Sequence, residues 1–150
     1  MKKTLSIIIL FFLFGCGYTS IYSNKTNYDF KIIDLNLNGD LYINNIIQNE
    51  LIRYATNKSE KEYKIKISSS FTKSIIAKDK TGNATDLSLV VVVDAEIMNV
   101  SNNKVKTIYL SESFDAVKKQ NNYEQLNYEK IIKKDLAKIV LQKLIFQINK

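Results

Sequence analysis

At 150 residues the chain is long enough to bury one real core, and its formal charge of +7 suits an anionic partner. The absence of histidine excludes a histidine-based triad and the usual zinc sites, and the four glycines are too scattered to cradle a phosphate. A single cysteine excludes a disulfide framework, so stability must come from packing and backbone hydrogen bonds.

The amino terminus is the most specific stretch. Met1-Lys2-Lys3 is positive, and Leu5 to Phe14 is apolar over the length of a secretory h-region, about half of the ~20 residues that cross a bilayer. Gly15 and Cys16 close it. A small residue followed by cysteine at this place resembles a bacterial lipobox. There the thiol takes a diacylglycerol thioether, cleavage falls between Gly15 and Cys16, and the new amino terminus is acylated, with palmitate as the expected chain. Residues 1–15 are therefore read as a lipoprotein signal peptide, 16–28 as a lipidated tether rich in Ser, Thr, Asn and Tyr, and 29–150 as one domain. An exported chain has little use for nucleic acid, so its excess of lysine points to lipid headgroups or lipopolysaccharide. An A/T-rich genome explains the same excess, since Asn and Ile are also plentiful.

Phe30 to Leu35 has the apolar character of a first strand, followed by the turn-prone Asn36-Leu37-Asn38-Gly39-Asp40. Asp40 is placed to cap a helix over 41–57, where Ile43, Ile46, Ile47, Leu51 and Tyr54 recur at helical spacing. Tyr63, Ile65, Ile67 and Phe71 then alternate with polar residues, predicting a half-buried strand over 63–76. A loop at 78–83 leads to a central strand over 87–98, apolar at every odd position and again at Val90 and Val92. After a turn at 101–103, a strand over 104–116 shifts its apolar positions from odd (Val105, Tyr109) to even (Ile108, Leu110, Phe114). That change of phase predicts a β-bulge near 107–110. Asn122 and Gln125 resemble a capping box. Leu126, Ile131, Ile132, Leu136, Ile139, Val140 and Leu144 mark a long amphipathic helix to about residue 148, its lysines 130–143 forming a solvated face. The fold class is α+β: a four-stranded, mostly antiparallel sheet with two amphipathic helices on one face, in the order β-α-β-β-β-α. Ile46, Leu51, Leu136, Ile139 and Val140 are expected to face Ile65, Leu89 and Val91.

The lipobox followed at once by Gly17-Tyr18, the segment Cys16-Gly17-Tyr18-Thr19-Ser20-Ile21-Tyr22, this element order and a closing helix introduced by Asn122-Tyr123-Glu124 together resemble the LptE family of lipopolysaccharide-assembly lipoproteins. The resemblance implies a protein anchored by lipid to the periplasmic side of the outer membrane. There it would plug the β-barrel translocon LptD, help assemble that barrel and assist the passage of lipopolysaccharide to the cell surface. No cofactor, metal ion or catalytic residue is implied. The alternative is an unrelated periplasm-facing lipoprotein adaptor that binds a peptide or a lipid in an envelope complex. A carboxylate-based hydrolase would have to use Asp94 and Glu96, which share one face of a strand, but acidic pairs on solvated faces are commonly only that. The lipopolysaccharide-binding candidates are Lys73, Lys78 and Lys80. They bracket the first long hairpin beside Phe71, Ile75 and Ile76, and the strand lengths place them at the end opposite Lys104 and Lys106.

Overall fold

A computed structural model describes residues 28–149; the segment read as a signal peptide, with Gly15 and Cys16, and the expected tether up to residue 27 lie outside the described residues. The elements are β1 (Lys31–Gly39), α1 (Leu41–Tyr54), β2 (Glu62–Lys78), β3 (Ala84–Asn99), β4 (Val105–Val117) and α2 (Asn122–Ile148), in the expected α+β order. The sheet order is β1-β2-β3-β4. β1 runs parallel to β2, as a helical crossover requires, while β2–β3 and β3–β4 are antiparallel hairpin pairs. Alternate positions of every strand point to one side, where both helices cover Ile65, Ile67, Leu89, Val91, Val93, Ala95 and Ile97.

β1 is longer than the apolar run. Asn36 and Asn38 continue the strand because Leu35 and Leu37 pair with Ile65 and Ile67, and this period-two burial outweighs the turn propensity of asparagine. The turn is compressed to Gly39 and Asp40. Gly39 has a φ of +96°, and a Cβ there would stand 1.9 Å from the Ser69 carbonyl oxygen, so only glycine fits. Asp40 caps α1 as expected, its Oδ1 accepting from the Tyr42 and Ile43 amides at 3.0 and 3.1 Å. The helix ends at Tyr54, before residue 57, because Ala55 turns extended and the Thr56 amide donates to the Phe30 carbonyl. Ile43, Ile47 and Leu51 are buried, and Ile46 is half-buried against the core. Tyr28, assigned to the tether, packs edge-on against Tyr54 at 5.5 Å between ring centroids.

Two expectations fail. β4 pairs with β3 from Val105 to Val117 without a register shift, so the bulge near 107–110 is absent. Even positions point inward throughout, and Val105 and Tyr109 lie on the outer face, 55 % and 67 % exposed. On an edge strand with an uncovered face, an apolar residue need not be buried, so the phase change carried no geometry. In α2 the buried stripe comprises Ile132, Leu136, Val140 and Leu144 together with Ala137, Leu141, Ile145 and Ile148. Ile139, expected against the sheet, is 41 % exposed, and Leu126 and Ile131 also face outward. The cap of α2 is Asn121, one residue earlier than expected, while the Gln125 side chain accepts from the Lys119 amide at 2.6 Å.

Candidate functional site

The two ends of the sheet differ. At one end lie the entry of the chain at Tyr28, the start of β2 and the turn at 101–103, tied together by Lys31 N–H to Lys61 O, Val100 N–H to Glu62 O and Asn99 N–H to Lys104 O. At the other end lie the 79–83 loop and the start of α2. β2 has 17 residues and spans roughly 55 Å, so the 79–83 loop and the 101–103 turn stand far apart, as expected.

β1 stops at the level of Ser69, and α1 starts there and runs back toward Tyr28. From Ser70 to Lys78, β2 therefore has a strand neighbour only in β3 and no cover from α1. From Ser69 onward the inner face of β2 carries Ser69, Phe71, Lys73 and Ile75, and polar contacts to the start of α1 and to α2 join it to the helices. Ser69 Oγ donates to buried Asn44 Oδ1 at 2.7 Å. Lys133 Nζ donates to Asp40 Oδ2 and stands 4.8 Å from the Phe71 ring centroid and 5.6 Å from that of Tyr42. Burial alone would raise the Asp40 pKa, but Lys133 and the two capping amides hold the carboxyl below the ordinary range. Lys133 is thus part of the internal seam, a correction to the reading of the 130–143 lysines as a purely solvated face. Lys143 likewise pairs with Glu112.

Lys73 belongs to the same seam. Its ammonium donates to both carboxylate oxygens of Glu129, at 2.9 and 3.1 Å, and Gln125 Nε2 donates to Glu129 Oε1 at 2.7 Å. Its charge is met by the largely buried Glu129, although the lysine side chain itself stays 47 % exposed. Lys78 and Lys80 are exposed and make no ion pair among the described residues. Asp79 between them is occupied in shaping the loop: Oδ1 accepts from Thr81 Oγ1, from the Thr81 amide and from the Asn83 amide at 2.7, 2.8 and 2.9 Å. These bonds, the Thr81 hydroxyl foremost, hold its carboxyl below the ordinary range.

The antiparallel pairing adds two cations from the segment between β4 and α2, a segment to which the sequence pattern assigned no role. Asp86 pairs with Val117, and the Lys118 amide donates to the Thr85 carbonyl at 2.8 Å, so Lys118 and Lys119 stand at the base of the 79–83 hairpin. The Lys119 ammonium lies 4.7 Å from the Tyr128 ring centroid. Hairpin topology was the available signal, since the end of the third long strand must return to the end of the molecule where the second began. Exposed Ile75, Ile76, Phe114 and Val117 accompany these lysines. The tip therefore offers cations for phosphate beside apolar surface for acyl chains. Asp94 and Glu96 are exposed on the outer face of β3, away from both helices. Among the described residues no group of three or more acidic or cysteine side chains is placed to hold a metal, and no helix is long and apolar enough to cross a membrane.

No protein-family model matches the chain, and no curated protein sequence does. Solved structures do. The chain is similar to the rare lipoprotein B of Shewanella oneidensis at 13 % identity and a TM-score of 0.55, covering 76 % of this chain and 95 % of that one. It is similar to lipoprotein B of Nitrosomonas europaea at 16 % identity and a TM-score of 0.53, covering 83 % and 88 %. A minor lipoprotein of Acinetobacter baumannii gives 14 % identity and a TM-score of 0.51, covering 80 % and 94 %. The chain has the fold of these bacterial lipoproteins over nearly their whole length.

Proposed function

We propose that this chain is a lipid-anchored protein of the LptE type. In this role it sits on the periplasmic face of the outer membrane, plugs and helps assemble an LptD-like β-barrel, and assists lipopolysaccharide transport to the cell surface as a binding and assembly protein rather than an enzyme. The observation that carries the reading is the β-α-β-β-β-α fold shared with bacterial lipoproteins, in a chain that also has Cys16 at the end of a signal-like segment.

The geometry gives that role a direction. The tether from Cys16 joins the sheet at Tyr28, so the anchor enters at one end and the lysine-bearing tip lies at the other. Twelve residues of tether reach at most ~40 Å when fully extended, less than the length of β2. On this reading the anchored end meets the membrane, while Lys78, Lys80, Lys118 and Lys119 with Ile75, Ile76 and Phe114 are available to the phosphates and acyl chains of lipopolysaccharide. Mass spectrometry of the mature protein tests the anchor: a lipid-modified amino-terminal Cys16 is expected, and an unmodified terminus after Gly15 or elsewhere rules it out. Co-purification with an LptD-like barrel tests the role.

A further inference from the structure

β2 is an edge strand for part of its length. The Asp40 amide donates to the Ser69 carbonyl at 3.0 Å, and the Val100 amide donates to the Glu62 carbonyl at 2.9 Å. Odd residues of β2 therefore turn their backbone groups toward β1, and even ones toward β3. β1 leaves the sheet at Gly39, opposite Ser69. Beyond that point the amides and carbonyls of Phe71, Lys73 and Ile75 face a side where no strand lies among the described residues. Pairing with β3 is regular over residues 63–75 and shifts only past Ile75, so this open edge is unbroken.

The side chains around this gap describe what fits it. Leu41, the first residue of α1, is 79 % exposed, more than any other large apolar side chain among the described residues. Leu41, half-buried Phe71 and exposed Ile75 are apolar on the helix-covered side, whereas Ser70, Thr72 and Ser74 offer only hydroxyls on the outer side. Lys130 Nζ lies 5.9 Å from the Tyr42 ring centroid and makes no ion pair among the described residues. Lys133, already bonded to Asp40, touches the same ring and that of Phe71. Along β4, by contrast, Lys106 and Glu112 are already met by Gln147 and Lys143. We propose that an extended segment of the barrel partner adds to β2 along residues 71–75, in the line that β1 vacates. That segment turns apolar side chains toward Leu41, Phe71 and Ile75 and small or polar ones toward the hydroxyls, and it carries an acidic residue for Lys130. The proposal rests on the barrel reading above and needs one copy of this chain only.

Photocrosslinking tests this in the full-length, membrane-anchored chain. The photoreactive residue p-benzoylphenylalanine is placed at Leu41 or at Thr72, and adducts with the barrel are mapped by mass spectrometry. Both positions are expected to reach the same short segment of the barrel, one that holds an Asp or Glu. Ile75→Pro removes an amide of the open edge and none directed at β3, so it is expected to lower both adduct yields several-fold, while Ile75→Ala keeps them. Lys130→Glu is expected to lower them several-fold and Lys130→Arg to keep them, which decides the matter should the proline variant fail to fold. Adducts in unrelated segments of the barrel, or yields unmoved by Ile75→Pro and Lys130→Glu, overturn the proposal. Recovery of the barrel without an adduct at either position also overturns it and leaves the plug reading standing. Absence of the barrel altogether overturns both.

Discussion

The end of the sheet where the chain enters and the end where the hairpin projects are parts of one two-layer fold, held by different forces. Near Tyr28 both helices lie on the sheet. Phe30, Ile43, Ile47, Leu51, Ile65, Ile67, Leu144, Ile145 and Ile148 form a continuous apolar interior there. Toward the projecting end β1 and α1 stop: Lys133 of α2 pairs with Asp40 at the start of α1, and β2 meets α2 through Lys73–Glu129, with Gln125 donating to the same carboxylate. The first arrangement stabilises by area removed from water, and little in it is specific. The second gains little net stability from its ion pairs, but it fixes α2 and the start of α1 against a strand with no neighbour on one side. The lesson is a division of labour: the end at Tyr28 holds the domain together, and the far end keeps lysines and apolar side chains exposed on a fixed hairpin.

The largest effect should come from the end at Tyr28. Leu144→Ala is expected to cost ~2–5 kcal/mol in chemical denaturation, because Leu144 is fully buried between α2 and the sheet. Leu136→Ala, at a nearly buried position midway along α2, belongs in the same range. A change within measurement error at Leu144 would mean that the apolar interior is not the main support. Gly39→Ala, at the junction of the two regions, should cost at least ~2 kcal/mol, since the positive φ is strained for alanine and the Ser69 carbonyl must move.

The polar seam should yield less. Lys133→Met is expected to cost about 1–2 kcal/mol at neutral pH, by leaving the partly buried Asp40 carboxylate without its ammonium. The sign of its pH dependence follows from Asp40. A carboxyl whose pKa is lowered on folding contributes stability above its ordinary value of ~3.9, and that contribution is lost as pH falls through the lowered value. The gap between Lys133→Met and the unaltered protein should therefore narrow below about pH 4. A gap independent of pH would assign the loss to the cation–π contacts with Phe71 and Tyr42 instead.

At the tip stability should not change. Lys78→Glu with Lys80→Glu is expected to shift unfolding by less than ~0.5 kcal/mol, as for other exposed positions, while weakening binding to purified lipopolysaccharide at moderate salt. Adding Lys118→Glu and Lys119→Glu should weaken it further. Lys73→Glu should instead destabilise the fold by setting a second carboxylate against Glu129. Equal lipopolysaccharide binding by the quadruple variant would move the site away from this end.

The apolar interior was legible because it rests on period. Odd positions of β3 and the stripe Ile43, Ile47, Leu51 could be placed from spacing alone. Where a face is left uncovered, period loses its meaning, which is why Val105 and Tyr109 suggested a bulge that β4 does not have. Ile139 was misplaced because the carboxyl-terminal half of α2 is apolar on more than one side, and only the packing of Ala137, Leu141 and Ile145 against the sheet shows which side is inside. The tip was half legible. Lys78 and Lys80 flank a recognisable hairpin loop, but the capture of Lys73 by Glu129, 56 residues away, is a tertiary contact that no local pattern encodes. Lys118 and Lys119 come to the tip only through the return of β4 along β3.

The most direct test of the proposed role is purification of the tagged, full-length protein from detergent-solubilised outer membranes under conditions that preserve barrel complexes. The expected result is an LptD-like β-barrel recovered in near-equal molar amount, together with loss of assembled barrel when this protein is depleted. Recovery of the acylated protein without any such barrel, and normal barrel assembly after its depletion, would contradict the account.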